Sequence, residues 1–106
     1  MIDIPELPAL APAGADRMRA LAETILLDFS HPRVAALVQG RGWQQLTEHG
    51  RIAAAYAFVR DEIAFGYNRD DDLKASEVLA DGYGQCNTKS TLMMALLRAL
   101  GIPCRF

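Results

Sequence analysis

The stretch that most constrains the fold of this sequence runs from Cys86 to Leu100 and is apolar on almost every side. After Asn87 and Thr88 at its start, its plainly polar members are few: Lys89, Ser90, Thr91 and Arg98. A helix that is apolar nearly all round must be covered by other elements, so the pattern predicts a buried central helix. Gly101 is placed to end this helix in the left-handed conformation, and Pro103 prevents its continuation.

Two helices are predicted near the start of the chain. The first covers Ala15 to Phe29, where apolar residues at helical spacing form one face: Met18, Leu21, Ala22, Ile25 and Leu26. The second runs from Pro32 to Gln39, with Ser30 as its N-cap and Gly40 as its stop. The preceding residues, Met1 to Gly14, carry three prolines and read as an extended lead-in.

A longer helix is predicted between these elements and the central helix. It starts after Thr47, a good N-cap, and runs to about Phe65. Its buried stripe is expected to contain Ile52, Ala55, Tyr56, Val59 and Ile63. A polar loop follows from Gly66 to Asp72, and Ser76 is predicted to cap a short helical turn through Leu79.

The last residues, Ile102 to Phe106, read as the start of a strand. A single apolar strand leaves its backbone donors and acceptors open, so we expect either further residues or another chain to complete a sheet. The sequence therefore predicts one mainly α domain over residues 1–106, with four to five helices and one terminal strand.

Composition excludes several classes of function. The 106 residues carry a formal net charge of −2, which argues against nucleic acid or anionic lipid as a partner. No stretch reaches 18 apolar residues and no signal peptide is recognisable, so neither a membrane nor secretion is indicated. Two cysteines without a CxxC or a histidine cluster predict free thiols in a reducing, cytoplasmic setting and no metal or other cofactor.

Cys86 is the candidate nucleophile. It follows Gly82-Tyr83-Gly84-Gln85, which lets the backbone turn tightly, and it precedes the predicted central helix. A helix N-terminus stabilises a thiolate, and its backbone N–H groups can bind a developing oxyanion. By itself this pattern also fits a cysteine that is simply a small buried apolar residue.

From Tyr56 to Arg105 the chain resembles the front half of the transglutaminase-like superfamily. The pieces occur in order: Val59, Arg60 and Ile63; Tyr67; Ala75-Ser76-Glu77-Val78-Leu79; Gly82-Tyr83-Gly84-Gln85-Cys86; and Arg98-Ala99-Leu100-Gly101-Ile102-Pro103-Cys104-Arg105. The resemblance implies the N-terminal helical part of a papain-like α+β domain, with residues 47–106 as the family-like segment. It also implies that Cys86 attacks an amide carbonyl in a protein or peptide, as in a cysteine protease or a protein-glutamine acyltransferase.

The same resemblance places a catalytic His and then an Asp after the Gly-Ile-Pro-x-Arg segment, which would put both beyond Phe106. His31 and His49 precede Cys86 and are interpreted as a loop residue and an exposed first-turn residue. We therefore expect little or no turnover from this chain alone. Four further residues are weaker candidates for an oxyanion or cleft role, with core packing as the alternative for the last two: Gln85, Tyr83, Tyr67 and Trp43.

Two other interpretations stay open. An interaction module would explain an uncovered apolar face, and it predicts self-association into a dimer or higher oligomer. A plain helical structural domain would make the Gly-Gln-Cys an accident. The series Asn68-x-Asp70-x-Asp72 imitates the start of a calcium loop, but Leu73 and Leu79 stand where Gly and Glu are required, so a solvated loop is expected there.

Overall fold

A computed structural model of the chain describes residues 18–19, 21–70 and 72–104. Four α-helices lie wholly within these ranges, with a short 3-10 turn and two two-residue strands. In chain order they are α1 (Pro32–Arg41), the 3-10 turn (Trp43–Gln45), α2 (Glu48–Glu62), β1 (Ala64–Phe65), α3 (Ala75–Asp81), β2 (Tyr83–Gly84) and α4 (Cys86–Ala99). The predicted mainly α class is confirmed. The predicted lead-in, Met1 to Gly14, lies outside the described residues.

Helix α4 is the buried centre of the fold, as its all-round apolar sequence predicts. It packs against α2, α3 and α1, and Leu92 and Leu96 are completely buried. Its end also follows the prediction, because Gly101 has a φ of 79° and the backbone N–H of Ile102 reaches back to the carbonyl of Leu97 at 2.9 Å. The core can therefore form around one helix whose polar residues are confined to its first two turns and its last turn.

Helix α1 begins and ends differently from its prediction. Its N-cap is His31, whose Nδ1 accepts a hydrogen bond from the backbone N–H of Arg33 at 3.1 Å, so the predicted cap Ser30 is wrong. The helix passes through Gly40 and stops at Gly42, which has a φ of 68° and donates its N–H to carbonyls of the last turn. Two glycines lie two residues apart here, and the second one adopts the left-handed conformation that ends a helix.

Helix α2 starts as predicted and ends three residues early. The Thr47 hydroxyl oxygen accepts from the N–H of Gly50 at 3.1 Å, which is the expected cap. The predicted continuation to Phe65 is wrong, because Ala64 and Phe65 form β1 and pair in parallel with β2. The N–H of Ala64 donates to the carbonyl of Gly82 at 3.1 Å, so the chain exchanges helical hydrogen bonds for a short ladder beside the start of α4.

The buried side of α2 is rotated relative to its prediction. Ala55, Val59 and Ile63 are buried as expected, but Phe58 is buried in addition, while Ile52 and Tyr56 are exposed, Tyr56 to 56 %. The helix carries apolar residues over most of its circumference, so periodicity alone does not select one face.

The predicted helix from Ala15 to Phe29 is wrong in its second half. From Ala22 to Phe29 the chain is not helical. The Thr24 hydroxyl accepts from the N–H of Leu27 at 3.0 Å, which offers the backbone a local alternative to a helix. The predicted apolar face is also absent, since Ile25 is 80 % exposed.

The non-helical segment from Ala22 to Asp28 instead forms hydrogen bonds with α3 and α4, which are distant in the sequence. The Asp28 carboxylate accepts from the backbone N–H of Ser76 at 3.0 Å and from its hydroxyl at 2.6 Å. Ser76 therefore lies inside α3, whose N-cap is Lys74, and the predicted capping role of Ser76 is wrong. On the other side, the Arg98 guanidinium of α4 donates to the carbonyl of Ala22 at 2.7 Å.

The residues after α4 do not form the predicted strand in their described part, Ile102–Cys104. They are held by Arg98, whose Nε and Nη2 donate to the carbonyl of Cys104 at 3.1 and 2.7 Å. Residues 105–106 lie outside the described ranges. Among the described residues, no helix has the length and apolar character needed to cross a membrane.

Candidate active site around Cys86

Cys86 is the first residue of α4, and its thiol is free and exposed. Strand β2 leads into it through Gln85, the N-cap, whose backbone N–H donates to the Thr88 hydroxyl oxygen at 3.0 Å in a capping box. The first N–H groups of a helix have no acceptor within the helix and lie at its positive end. Cys86 is therefore located where a thiolate or an oxyanion receives backbone stabilisation.

The turn before Cys86 depends on Gly84, because the first turn of α4 packs too closely against this residue to leave room for a side chain. A Cβ atom at this buried glycine would lie 2.7 Å from the Thr88 hydroxyl oxygen and 3.1 Å from Cγ of Lys89. Gly82, two residues earlier, is required for a different reason, since it ends α3 with a φ of 75°. Gly84 therefore leaves room for the first turn of α4, and Gly82 allows the left-handed backbone conformation that turns the chain towards α4.

The segment after β1 runs beside this turn and is joined to it by hydrogen bonds. The N–H of Gly66 donates to the carbonyl of Gly84 at 3.0 Å, and the N–H of Asn68 donates to Oε1 of Gln85 at 2.9 Å. This parallel alignment brings Tyr67, between those two donors, next to the approach to Cys86.

The Asn68 side chain joins three elements at this point. Its Nδ2 donates to Oδ2 of Asp81 and to the carbonyl of Tyr83, both at 3.0 Å. Its Oδ1 accepts from the Thr88 hydroxyl at 2.6 Å. Sequence reasoning assigned Asn68 only to a solvated loop, because a hydrogen-bonding role across 13 to 20 residues leaves no periodic signal.

Among the described residues, this network is not accompanied by a calcium or zinc site. In the described ranges, no group of three or more His, Cys, Asp or Glu side chains is arranged to hold a metal ion. The Asn68 side-chain oxygen already accepts a hydrogen bond from the Thr88 hydroxyl, so its role is to stabilise the turn.

Aromatic residues lie on the two segments that pair beside the approach to Cys86. Tyr67 is 77 % exposed and makes an edge contact with Phe65, at 5.5 Å between ring centres, while Tyr83 is partly exposed on β2. Trp43 is different: it is only 6 % exposed and packs edge-on against Phe58 at 5.7 Å. The core-packing alternative therefore describes Trp43, whereas Tyr67 and Tyr83 lie by the turn. Phe65 was missed because it was assigned to the end of a helix.

A shallow groove of about 240 Å³ lies between α2 and α4, next to this turn. Its lining residues come three from each helix: Tyr56, Val59 and Arg60, and Lys89, Ser90 and Met93. The three α4 residues follow Cys86 by three, four and seven positions, so they share its face of the helix. The groove thus lies along the helix face on which Cys86 is the first residue.

The second cysteine has a different environment. Cys104 is half-buried, and its thiol donates to the carbonyl of Met94 at 3.6 Å. Burial raises the pKa of the Cys104 thiol, and the nearby Arg98 guanidinium opposes that rise in pKa. Cys104 is therefore a protonated core thiol and a useful internal reference for the exposed Cys86.

Neither histidine is placed as a base for Cys86 within the described structure. The Nδ1 of His31 is occupied by capping α1, and His49 is exposed in the first turn of α2, as interpreted from the sequence. No hydrogen bond among the described residues joins either imidazole to the Cys86 thiol. The site therefore combines a thiol at a helix N-terminus with a turn held by hydrogen bonds. Among the described residues, no imidazole is hydrogen-bonded to this thiol.

Comparison with known proteins agrees with this geometry. Searches of curated proteins and of solved structures gave no significant match. A family model described as the transglutaminase-like superfamily matches residues 36–106, about two-thirds of the chain. The match covers α2, α3 and α4 completely and contains Gly84, Gln85 and Cys86. The chain belongs to the transglutaminase-like superfamily.

Proposed function

We propose that Cys86 is the nucleophile of a thiol-dependent acyl-transfer or amide-hydrolysis reaction on a protein or peptide. The observation that carries this proposal is the exposed thiol at the first residue of the buried central helix, at the end of a turn held by several hydrogen bonds. Membership in the superfamily supports a cysteine-nucleophile enzyme.

The chemistry follows from the position of the sulfur. The Cys86 thiolate attacks the amide carbonyl carbon, a C–S bond forms, and the carbonyl oxygen becomes an oxyanion facing the first N–H groups of α4. Collapse of this intermediate breaks the C–N bond, and the amine leaves with a proton. Water or a second amine then attacks the thioester, the C–S bond breaks, and the thiol is regenerated.

Both proton transfers need a base that becomes an acid. The described residues place no imidazole beside Cys86, so we propose that a histidine and a carboxylate outside the described ranges complete the reaction, and that these ranges alone do not turn over. The candidates for orienting the acyl donor are Gln85, Tyr83 and Tyr67, because they lie on the turn before Cys86 or on the segment hydrogen-bonded to it, with the α2–α4 groove accepting an apolar part of the substrate. The free thiols fit a reducing, cytoplasmic compartment.

Site-resolved alkylation tests the nucleophile. The folded protein is treated with iodoacetamide at pH 7, and peptide mass spectrometry follows Cys86 and Cys104 separately. Cys86 is expected to react at least about tenfold faster, because it is exposed at a helix start and Cys104 is a half-buried, protonated thiol. Equal rates would remove the basis for the assignment. The variant Cys86→Ala serves as the control for peptide identity.

A second candidate function is self-association as an interaction module. The exposed Phe65–Tyr67 pair and the groove lined by Tyr56 and Met93 each present apolar surface. Sedimentation velocity at micromolar concentration tests it. A dimer that the double variant Phe65→Ser, Tyr67→Ser dissociates would support the module, and a monomer would exclude it.

A further inference from the structure

Asn68 uses the complete hydrogen-bonding capacity of its side-chain nitrogen. A carboxamide nitrogen has two N–H donors, and both are directed at atoms that can only accept, Oδ2 of Asp81 and the carbonyl of Tyr83. The carbonyl end of the amide receives the Thr88 hydroxyl proton. The amide orientation is therefore determined, since the reverse orientation would bring three acceptors together.

The three partners of Asn68 belong to the three elements that build the site. Asp81 is the last residue of α3, Tyr83 begins β2, and Thr88 is the third residue of α4. The backbone N–H of Asn68 adds a fourth bond, to the side chain of Gln85 at 2.9 Å. One residue of the 66–68 segment thus fixes the chain immediately before and after Cys86.

Thr88 transmits this restraint to the helix start. It is completely buried, and its hydroxyl oxygen also accepts from the backbone N–H of Gln85 at 3.0 Å. Removing the Asn68 amide would leave the Thr88 hydroxyl without its 2.6 Å acceptor and would free the carbonyl of Tyr83. The direction of the first N–H groups of α4, where Cys86 is located, would then be less well defined.

We propose that Asn68 is a positioning residue that sets the reactivity of the Cys86 thiol through the turn from Tyr83 to Thr88. The proposal rests on the function proposed above for Cys86, and it adds a residue that acts through the turn without touching the reacting atoms. It requires that loosening this turn slows the reaction of Cys86 while the rest of the fold stays intact.

The test compares wild type, Asn68→Ala and the matched control Asn87→Ala. Asn87 is exposed and next to Cys86, and none of the side-chain hydrogen bonds that hold the turn involves it. The readouts are amide exchange over residues 83–88, urea unfolding, and Cys86 alkylation from pH 6 to pH 9 with Cys104 as reference. Asn68→Ser, which keeps a polar group too short to join all partners, replaces Asn68→Ala if the latter does not fold.

In Asn68→Ala, which removes three side-chain hydrogen bonds, we expect amide exchange over residues 83–88 to rise at least about fivefold, the factor that loss of one ordinary hydrogen bond corresponds to. The Cys86-to-Cys104 alkylation ratio at pH 7 should fall by about the same factor. Asn87→Ala should change the ratio by less than about twofold.

Unchanged Cys86 alkylation in a folded Asn68→Ala protein would overturn the proposal, and so would an equal fall in Asn87→Ala. These outcomes are distinct from failure of the proposed function. If wild-type Cys86 reacts no faster than Cys104, the nucleophile assignment fails, while the comparison of Asn68→Ala with wild type still decides whether Asn68 controls the thiol.

Discussion

Replacing Gly84 with alanine tests the close packing that brings the chain to Cys86. Gly84 does not have a positive φ, so alanine is compatible with its backbone, and the effect of the substitution comes from space alone. The new Cβ would lie 2.7 Å from the Thr88 hydroxyl oxygen and 3.4 Å from Oδ1 of Asn68. The hydroxyl belongs to a completely buried side chain, so it cannot move into solvent.

The magnitude has two parts. Overpacking a well-filled site costs about 1–3 kcal/mol. Displacing the Thr88 hydroxyl weakens its bonds to Asn68 and Gln85, which adds about 1 kcal/mol. We therefore expect Gly84→Ala to lower the free energy of unfolding by about 2–4 kcal/mol.

Gly82→Ala is the matched control. Its Cβ would meet nothing within 4 Å, so it is strained only by the φ of 75°, at about 1–2 kcal/mol. Urea unfolding followed by circular dichroism at 222 nm gives both values. Gly84→Ala should also speed amide exchange at Thr88, which Gly82→Ala should leave closer to wild type. A loss below about 1 kcal/mol for Gly84→Ala, or an equal effect on Thr88 exchange in both variants, would refute the packing argument.

Three further predictions concern the fold. Arg98→Met keeps the buried stem but leaves the carbonyls of Ala22 and Cys104 without their donor, so urea unfolding should show a loss of about 2–4 kcal/mol. Thr47→Ala removes the cap of α2 and should cost about 1 kcal/mol in the same assay. Because burial raises the pKa of Cys104, its neutral thiol stabilises the fold below the unfolded value near ~8.5, and this contribution is lost as pH rises through the higher folded value. Urea midpoints above pH 8.5 should fall less steeply in Cys104→Ala than in wild type.

Much of the fold follows from local signals. The central helix, its stop at Gly101 and the Thr47 cap each depend on residues within one or two turns, and each is found as predicted. The position of Cys86 at the start of α4 follows from the same kind of signal, glycines and then an apolar run. These features are predictable because the physics that determines them is local.

Several of the wrong predictions share a different origin. The segment from Ala22 to Phe29 has helical spacing but is shaped by bonds to Ser76 and Arg98, which are distant in the sequence. Asn68 has no periodic pattern, and its role depends on three elements meeting. Strands β1 and β2 are two residues each, too short for alternation to be recognised. Tertiary contacts decided each of these cases.

The bonds from the Ala22–Asp28 segment to Ser76 and Arg98 have a consequence for the order in which the protein folds. They close chain separations of 48 and 76 residues, whereas the contacts of α3 with α4 are between near neighbours in sequence. Long closures lose more chain entropy before any contact compensates for it, so the α3–α4 unit should form first and this segment should dock last. The same segment should then be the first part of the described chain to detach during partial unfolding, and it would uncover the N-terminus of α3 while the turn at Cys86 is still intact.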